Sequence, residues 1–429
     1  MKKINLLAVT ALSAGICLPL GAHAANPVKL ELGGFSNWYL GGATQDDSFE
    51  NATGADYTNF DVQGDNEVHF TGSTKLDNGI EIAVTIELEG GGRTDSSPAS
   101  TATTTAVAVP VAGNRNDVNV TSNSATTAST VTRRGVTTTT YATTTTSTGE
   151  FAAASSITAG GAADVIDQSY VTVTTGFGQF IIGTNDNVGA LMHVSAPDVG
   201  LGLQDGDYAY WIVQPGNVVD FVTTYTDRDG SAEKLIYITP SFAGFSAGVS
   251  WTPDVVNEDA HLMSDMNAND GPGYAVSLGY SNTLGEVDVS ASLAYYWQSS
   301  NAPTDDVSDL TGGLSLAYKN FTIGGSLRIG SEKTRGNEAN LDGIAYDVAV
   351  AYAFEPYAVS LGYYRSEAEG NATGDDDEVS LVQLSGSYAF GPGIDLVTSI
   401  MHVNYDDERN ANADNNEGWG VVTGMKMAF

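Results

Sequence analysis

The sequence predicts an all-β chain, a transmembrane antiparallel barrel of sixteen strands with short turns at one rim and long loops at the other. Three observations predict it. Hydrophobicity alternates with a period of two along many segments, which gives a strand one apolar face. Seven short turn sequences alternate with eight long polar segments. The final stretch, GWGVVTGMKMAF (Gly418–Phe429), also alternates: Phe429, Met427, Met425, Thr423, Val421 and Trp419 share one face.

The first 24 residues read as a secretory leader, with Lys2 and Lys3 as a basic head, a short apolar run over Ile4–Leu20, and Ala22-His23-Ala24 as a small-residue cleavage site. Residues 25–429 are then expected to form a single barrel. Ile16, just before Cys17, is too large for a lipid-attachment signal. Cys17 is the only cysteine, so the chain after the leader has no disulfide, thiol nucleophile or cysteine metal site. No later apolar run approaches the roughly 18 residues a membrane helix needs. With 52 acidic against 17 basic residues, two of the latter in the leader, the formal net charge is −35. That excludes a nucleic-acid partner, which needs a basic face, and suits cations or divalent-bridged lipid headgroups.

Four turns share one pattern, aromatic–two turn residues–aromatic: Phe177-Gly-Gln-Phe180, Phe242-Ala-Gly-Phe245, Tyr318-Lys-Asn-Phe321 and Phe354-Glu-Pro-Tyr357. In a two-residue hairpin the flanking residues face each other on one side of the sheet, so these rings build an aromatic girdle at a membrane interface. Leu76-Asp-Asn-Gly79, Thr283-Leu-Gly-Glu286 and Gly391-Pro-Gly393 supply the other three turns. The long segments lie near Gly41–Asp65, Gly91–Val165, Asn185–Ser231, Pro253–Pro272, Ser299–Asp309, Ser331–Leu341, Glu367–Asp377 and Asp406–Glu417. With both chain ends at the short-turn rim, seven short turns require sixteen strands.

Within the strands, Ile80, Ile82, Val84, Ile86 and Leu88 alternate with Glu81, Ala83, Thr85, Glu87 and Glu89. Phe321, Ile323, Gly325, Leu327 and Ile329 alternate with Thr322, Gly324, Ser326 and Arg328. A half-buried soluble sheet alternates too. The many Gly, Ser, Ala and Thr on the polar face favour a wet lumen. Because lipid tolerates no open edge, the last strand must pair with the first, near Val28–Leu40, making Phe429 and Met427 the expected closure and assembly signal.

EVHFTGSTKLDNGIEIAVTIELE (Glu67–Glu89), SYVTVTTGFGQFIIGT (Ser169–Thr184) and the terminal phenylalanine resemble the general diffusion porins of Gram-negative bacteria. The resemblance implies a trimeric outer-membrane porin, set in lipid and lipopolysaccharide, that passes small hydrophilic solutes and ions without a cofactor. In that family the third external loop folds inward as a constriction. Here that loop is 185–231, and it carries Asp186, Asp198, Asp205, Asp207 and Asp220, with Glu87 nearby on a strand. Acids there would favour cations. The family's PEFGG-like signature is replaced by APDVGLGLQDGD (Ala196–Asp207). On the opposite wall, where the family has an arginine cluster, His69 stands at one position and Gln168 at another. Arg328 and Lys426, with Lys75, are the remaining basic candidates, each open to a rim or turn role instead. The resemblance thus implies a cation-preferring channel.

Residues 94–163 are mostly Thr, Ala, Ser, Val and Gly and cannot bury enough surface to form an independent core. They are expected to be an external loop insert, open between a surface loop and an extended hairpin tipped by Arg133-Arg134-Gly135. Entry into the wall would raise the strand count to eighteen. A substrate-specific channel, or a surface adhesin using this insert, are the competing readings.

No enzyme is expected. His193, His261 and His402 accompany no recognisable nucleophile segment, and Gly248–Pro253 lacks G-x-S-x-G. Gly374–Glu378 and Asp406–Glu408 are acid runs that offer Ca²⁺ or Mg²⁺ sites, or bridging to lipopolysaccharide phosphates, without EF-hand spacing. Solvated loop charge is the competing reading.

Overall fold

The computed structural model of the chain describes residues 27–90, 121–133, 136–148, 166–203, 206–255, 270–300, 304–334, 342–369, 376–408 and 411–429. The leader expected over residues 1–24 lies outside them. Strands follow in chain order: β1 (Lys29–Ala43), β2 (Asp61–Lys75), β3 (Glu81–Glu89), β4 (Thr121–Arg133), β5 (Val136–Thr148), β6 (Ile166–Thr175), β7 (Gly178–Thr184), β8 (Glu233–Ile238) and β9 (Phe245–Thr252). They continue with β10 (Asp270–Leu284), β11 (Val287–Ser300), β12 (Thr304–Tyr318), β13 (Phe321–Thr334), β14 (Gly343–Phe354), β15 (Tyr357–Glu369), β16 (Asp376–Gly391), β17 (Ile394–Asp406) and β18 (Asn416–Ala428).

Sixteen of these close into one barrel. Each strand pairs antiparallel with its neighbours, β3 passes directly to β6, and β18 returns to β1. At the seam Phe35 faces Ala428 and Ala43 faces Gly420. The Phe429 amide donates to Gly34 O at 3.0 Å and Gly34 N–H donates to Phe429 O at 3.1 Å, so pairing runs to the last residue. β4 and β5 pair only with each other, from Thr121↔Thr148 to Arg133↔Val136, within a separate compact unit over residues 95–164. The barrel therefore has sixteen strands, not eighteen.

The outer face is apolar and exposed. Leu278, Leu293, Leu310, Ile323, Val348, Leu361, Leu384, Ile400 and Val421 all point away from the lumen with 40–55 % of their surface open. An exposed apolar band of this extent does not suit water and does suit lipid. At the short-turn rim, Phe321–Tyr352 (4.5 Å), Phe354–Tyr357 (5.5 Å), Tyr357–Tyr388 (5.1 Å) and Tyr388–Phe390 (4.9 Å) form a run of touching rings. Tyr274–Trp297 (5.2 Å) and Tyr346–Tyr363 (6.1 Å) mark a second belt nearer the loops. On β10, Tyr274 and Tyr280 lie six residues apart, about 20 Å along a strand, close to the height of a barrel's lipid-facing band. No helix among the described residues is long and apolar enough to cross a membrane.

Two turns sit away from the expected register, the first by two residues and the second by one. Thr175 pairs with Gly178, so the β6–β7 turn is Gly176-Phe177 and Phe177 occupies its tip. The Thr175 hydroxyl donates to Gly178 O (2.9 Å) and accepts from Phe177 N (3.3 Å), which fixes that choice. Leu284 pairs with Val287, and the turn is Gly285-Glu286 because Gly285 takes the positive φ (70°) that the tight hairpin requires. Several expected loops also shorten. Between β11 and β12 only residues 301–303 separate the strands. The ladder continues after the apolar alternation ends, since backbone pairing needs no lipid contact.

Candidate functional site

The connection between β7 and β8, residues 185–232, packs on the inward side chains of the wall. It leaves β7 through Asn187, whose side-chain oxygen accepts from Gly189 N (2.7 Å) and Ala190 N (3.3 Å) and so caps the short helix α2 (Val188–Leu191); an earlier helix, α1 (Asp47–Thr53), lies in the first long loop. The Asn187 amide donates to Asp229 Oδ1 at 2.6 Å, and Thr252 on β9 donates to Asp229 Oδ2 at 2.6 Å. Lys234 Nζ donates to the carbonyls of Asn185, Gly230 and Ala232. The exit and return of the loop are thereby stapled together.

From there the loop crosses β11 to β18, and most contacts pair a loop backbone N–H with an inward Ser or Asp. Val194 N donates to Ser292, Ala196 N to Asp347, Val199 N to Ser360, Leu201 N to Ser399, Val219 N to Asp377 and Phe221 N to Ser366, all at 2.7–3.2 Å. Between these anchors, Leu201, Leu203, Tyr208, Trp211, Ile212 and Phe221 pack with wall residues including Tyr364, Met401 and Tyr405 in one buried cluster. Glycine makes the approach possible. A Cβ on Gly313 would stand 1.6 Å from Val194 O, and one on Gly200 would stand 2.2 Å from Ser385 Oγ.

The loop acids have distinct surroundings. Asp198 accepts from Gly200 N, Gly202 N, Ser360 Oγ and Gln383 Nε2 at 2.9–3.2 Å, which holds the loop's own turn and ties it to β15 and β16. Asp220 accepts from Gln214 (2.9 Å) and Tyr208 (3.4 Å); burial pushes its carboxyl above the usual range, against the pull of those two hydrogen bonds. Burial raises Asp186 too, with Lys234 opposing. Asp207 opens the short 3-10 helix Asp207–Tyr210 and is half-buried. Asp205 lies outside the described residues. Burial also pushes the His193 imidazole down to about 4, with Thr224 Oγ1 3.1 Å from its Nε2.

The basic candidates are engaged by the loop. Arg328, only 2 % exposed, pairs with Asp309 (2.8 Å) and Asp227 (2.9 Å), donates to Thr223 Oγ1 (3.1 Å), and has its guanidinium 4.6 Å from the Phe221 ring centre. Lys426 Nζ donates to Gly200 O at 2.6 Å. Both residues face inward, and both hold the loop. Asp309, Asp347, Asp227 and Asp229 complete this polar network; the sequence reading assigned them no role, because inward polar residues look alike until the loop's path is known.

Along β2, β3 and β6 the inward face is different. Glu67, His69, Thr71 and Lys75 on β2 stand opposite Glu89, Glu87, Thr85 and Glu81 on β3, with Asp65 beyond the end of that ladder and Tyr170 and Thr172 further on β6. Glu67 Oε1 lies 3.1 Å from His69 Nε2, and the Tyr170 hydroxyl donates to Glu87 Oε1 at 3.1 Å. Gln168 is half-buried at a bulge where β6 slips against β3. The two acid runs meet here: Asp377 at the start of β16 lies with Asp407 and Glu408 just after β17, close enough to share an ion, while Asp377 also accepts from Val219 N and Glu408 N. At the loop rim Tyr57, Phe60, Tyr210 and Trp211, with Gln45 and Asp61, line a pocket of about 110 Å³.

A closed barrel with a lipid-facing outer band, aromatic belts and a polar interior defines a bacterial outer-membrane channel. The family model of the Gram-negative porins matches residues 8–408, and the chain belongs to that family. A comparison with curated proteins finds no match. Among solved structures, an anion-selective porin from Comamonas acidovorans superposes with a TM-score of 0.56 at 14 % identity, covering 94 % of this chain and all of that one. The trimer form of OmpT, an outer membrane protein of Vibrio cholerae, gives 0.52 at 12 % identity, with the same coverage. At such identities the likeness shows the fold alone.

Proposed function

We propose that this outer-membrane porin is a passive, cation-preferring diffusion channel for small hydrophilic solutes, assembled as a homotrimer and performing no bond-making chemistry. The observation that carries the reading is the division of charge. Arg328 and Lys426 are engaged in holding the loop, whereas Asp65, Glu67, Glu81, Glu87 and Glu89 line β2 and β3 on the side away from most of the loop's anchors. Low-dielectric walls strengthen the attraction of such a row for cations. The outer face of β1–β3 supports the trimer reading. Ser36 donates to Asn66 at 2.5 Å there, and Gly64, Gly72 and Thr74 interrupt the apolar positions. Small and polar groups facing lipid are costly and suit contact with a neighbouring subunit. Lipid and lipopolysaccharide would surround the remaining outer face.

Planar-bilayer reversal potentials in a KCl gradient test the reading. Cation preference is expected, and anion preference would refute it. Liposome swelling with sugars tests passage itself; a barrel that conducts nothing would favour the adhesin reading. The aromatic pocket at the rim favours a second reading, a channel with affinity for a particular solute. Block of single-channel current by sugars at millimolar concentration would distinguish that reading from simple diffusion.

A further inference from the structure

The lumen wall holds three metal-ligating side chains that diffusion does not require together. Glu67 and His69 are two apart on β2 and share its inward face, and His69 pairs directly across from Glu87 on β3. Their ligand atoms all lie within 4.8 Å of one another. Around an ion at about 2.1 Å from each ligand, tetrahedral neighbours sit roughly 3.4 Å apart, so the widest pair needs to close by on the order of 1 Å.

The immediate surroundings of the three side chains suit a cation. Glu67 is only 8 % exposed, and its Oε1 makes no hydrogen bond. His69 Nε2 makes none either, although the two atoms are 3.1 Å apart; they approach without the alignment a hydrogen bond needs. The carboxylate oxygen and the imidazole nitrogen face each other as an ion pair, and a cation placed between them would engage both. Meanwhile the site is already braced. Tyr170 donates to Glu87, and the Phe35 ring meets the His69 ring edge-on at 6.3 Å. The His69 side chain keeps 33 % of its surface open, which gives an ion a way in.

We propose that Glu67, His69 and Glu87 bind one divalent transition-metal ion of the zinc class in the lumen, with water completing its shell. An imidazole with two carboxylates selects zinc, nickel or copper over the hard ions Mg²⁺ and Ca²⁺, which prefer oxygen alone. The ion would neutralise part of the acid row and so place the channel's cation preference under the control of metal supply. Metal binding itself does not depend on the conduction reading and is measured separately.

The test is calorimetric titration of ZnCl₂ into the chelator-stripped, detergent-folded full chain, with MgCl₂ as the competitor. One zinc site per chain is expected, undisturbed by a hundredfold excess of Mg²⁺, and weakened at least about tenfold in H69Q and in E87Q. Heat-modifiable gel mobility shows whether each variant is folded, and if H69Q fails to fold, E87Q carries the comparison. Zinc affinity unchanged in the folded variants, or lost equally to Mg²⁺, would overturn the proposal. Absence of any zinc binding at millimolar concentration would do so as well.

Discussion

Two stretches of the same barrel wall, β11–β18 and β2–β3, obey one strand periodicity and differ in what fills their inward positions. Under the loop, those positions hold Ser292, Ser360, Ser366 and Ser399, together with Asp347 and Asp377, each receiving a loop backbone N–H. On β2–β3 they hold Glu67, Glu81, Glu87 and Glu89 around a single histidine. Short hydroxyl side chains let a backbone come close and accept its hydrogen bonds, whereas the long carboxylates, apart from the buried Glu67, leave charge at the wall's surface. The difference teaches that the alternation builds the cylinder, while the chemistry of the inward residues decides which side is scaffold and which is available to solutes.

The largest effect is expected from breaking the scaffold side at its buried ion pair. R328A strips the buried Asp309 of its shorter guanidinium contact, leaving Arg228 at 3.3 Å, and releases Asp227 of the loop, a loss on the order of 3 kcal/mol, the low end for a broken buried pair. Thermal stability should fall sharply and single-channel conductance should rise as the loop loosens, both measurable on the purified protein. Next is G313A, whose new methyl would meet Val194 O. Displacing the loop there should cost about 1–3 kcal/mol, read by thermal denaturation. On the acidic side the fold should hardly respond but selectivity should. The double variant E87Q/E89Q is expected to lower the K⁺/Cl⁻ permeability ratio roughly twofold at unchanged melting temperature, measured by reversal potential. The same change made under the loop should do the reverse.

The smallest effect is in pH dependence. Burial holds the His193 imidazole at about 4 in the folded chain, below its ordinary 6.5. Between those values the unfolded chain takes up a proton that the folded chain refuses. The stability from this group is therefore full above pH 6.5 and declines as pH falls toward 4. H193Q should remove that part of the decline in a series of melting curves. Asp186 and Asp220, whose carboxyls are raised by burial, contribute with the opposite sign, their share being lost as pH rises.

The cylinder was legible because its determinants are local. Tyr318-Lys-Asn-Phe321 and Phe354-Glu-Pro-Tyr357 pair across their turns as written, and the alternation of Phe321–Gly330 separates exposed Ile323 and Ile329 from buried Ser326 and Arg328. Turn register escaped by two residues at Gly176-Phe177, because a threonine hydroxyl rather than a turn dipeptide set it. The interior was less legible, because an inward Ser or Asp reads the same whether it meets water or a loop. Asp198 and Arg328 could be placed on the inward side from sequence, yet only the path of residues 185–232 shows them as anchors. Glu67 stood in EVHFTG unassigned; its spacing of two from His69 already placed both on one face.

The most direct test compares the two sides by accessibility. E87C and S385C, each introduced singly, would be exposed to a cationic thiol reagent while current is recorded across a planar bilayer. Rapid modification and loss of current at position 87, with no reaction at position 385 beneath the loop, is the expected result. Rapid modification at 385 and none at 87 would mean that ions travel on the other side of the loop, and the division of the wall into scaffold and pathway would be wrong.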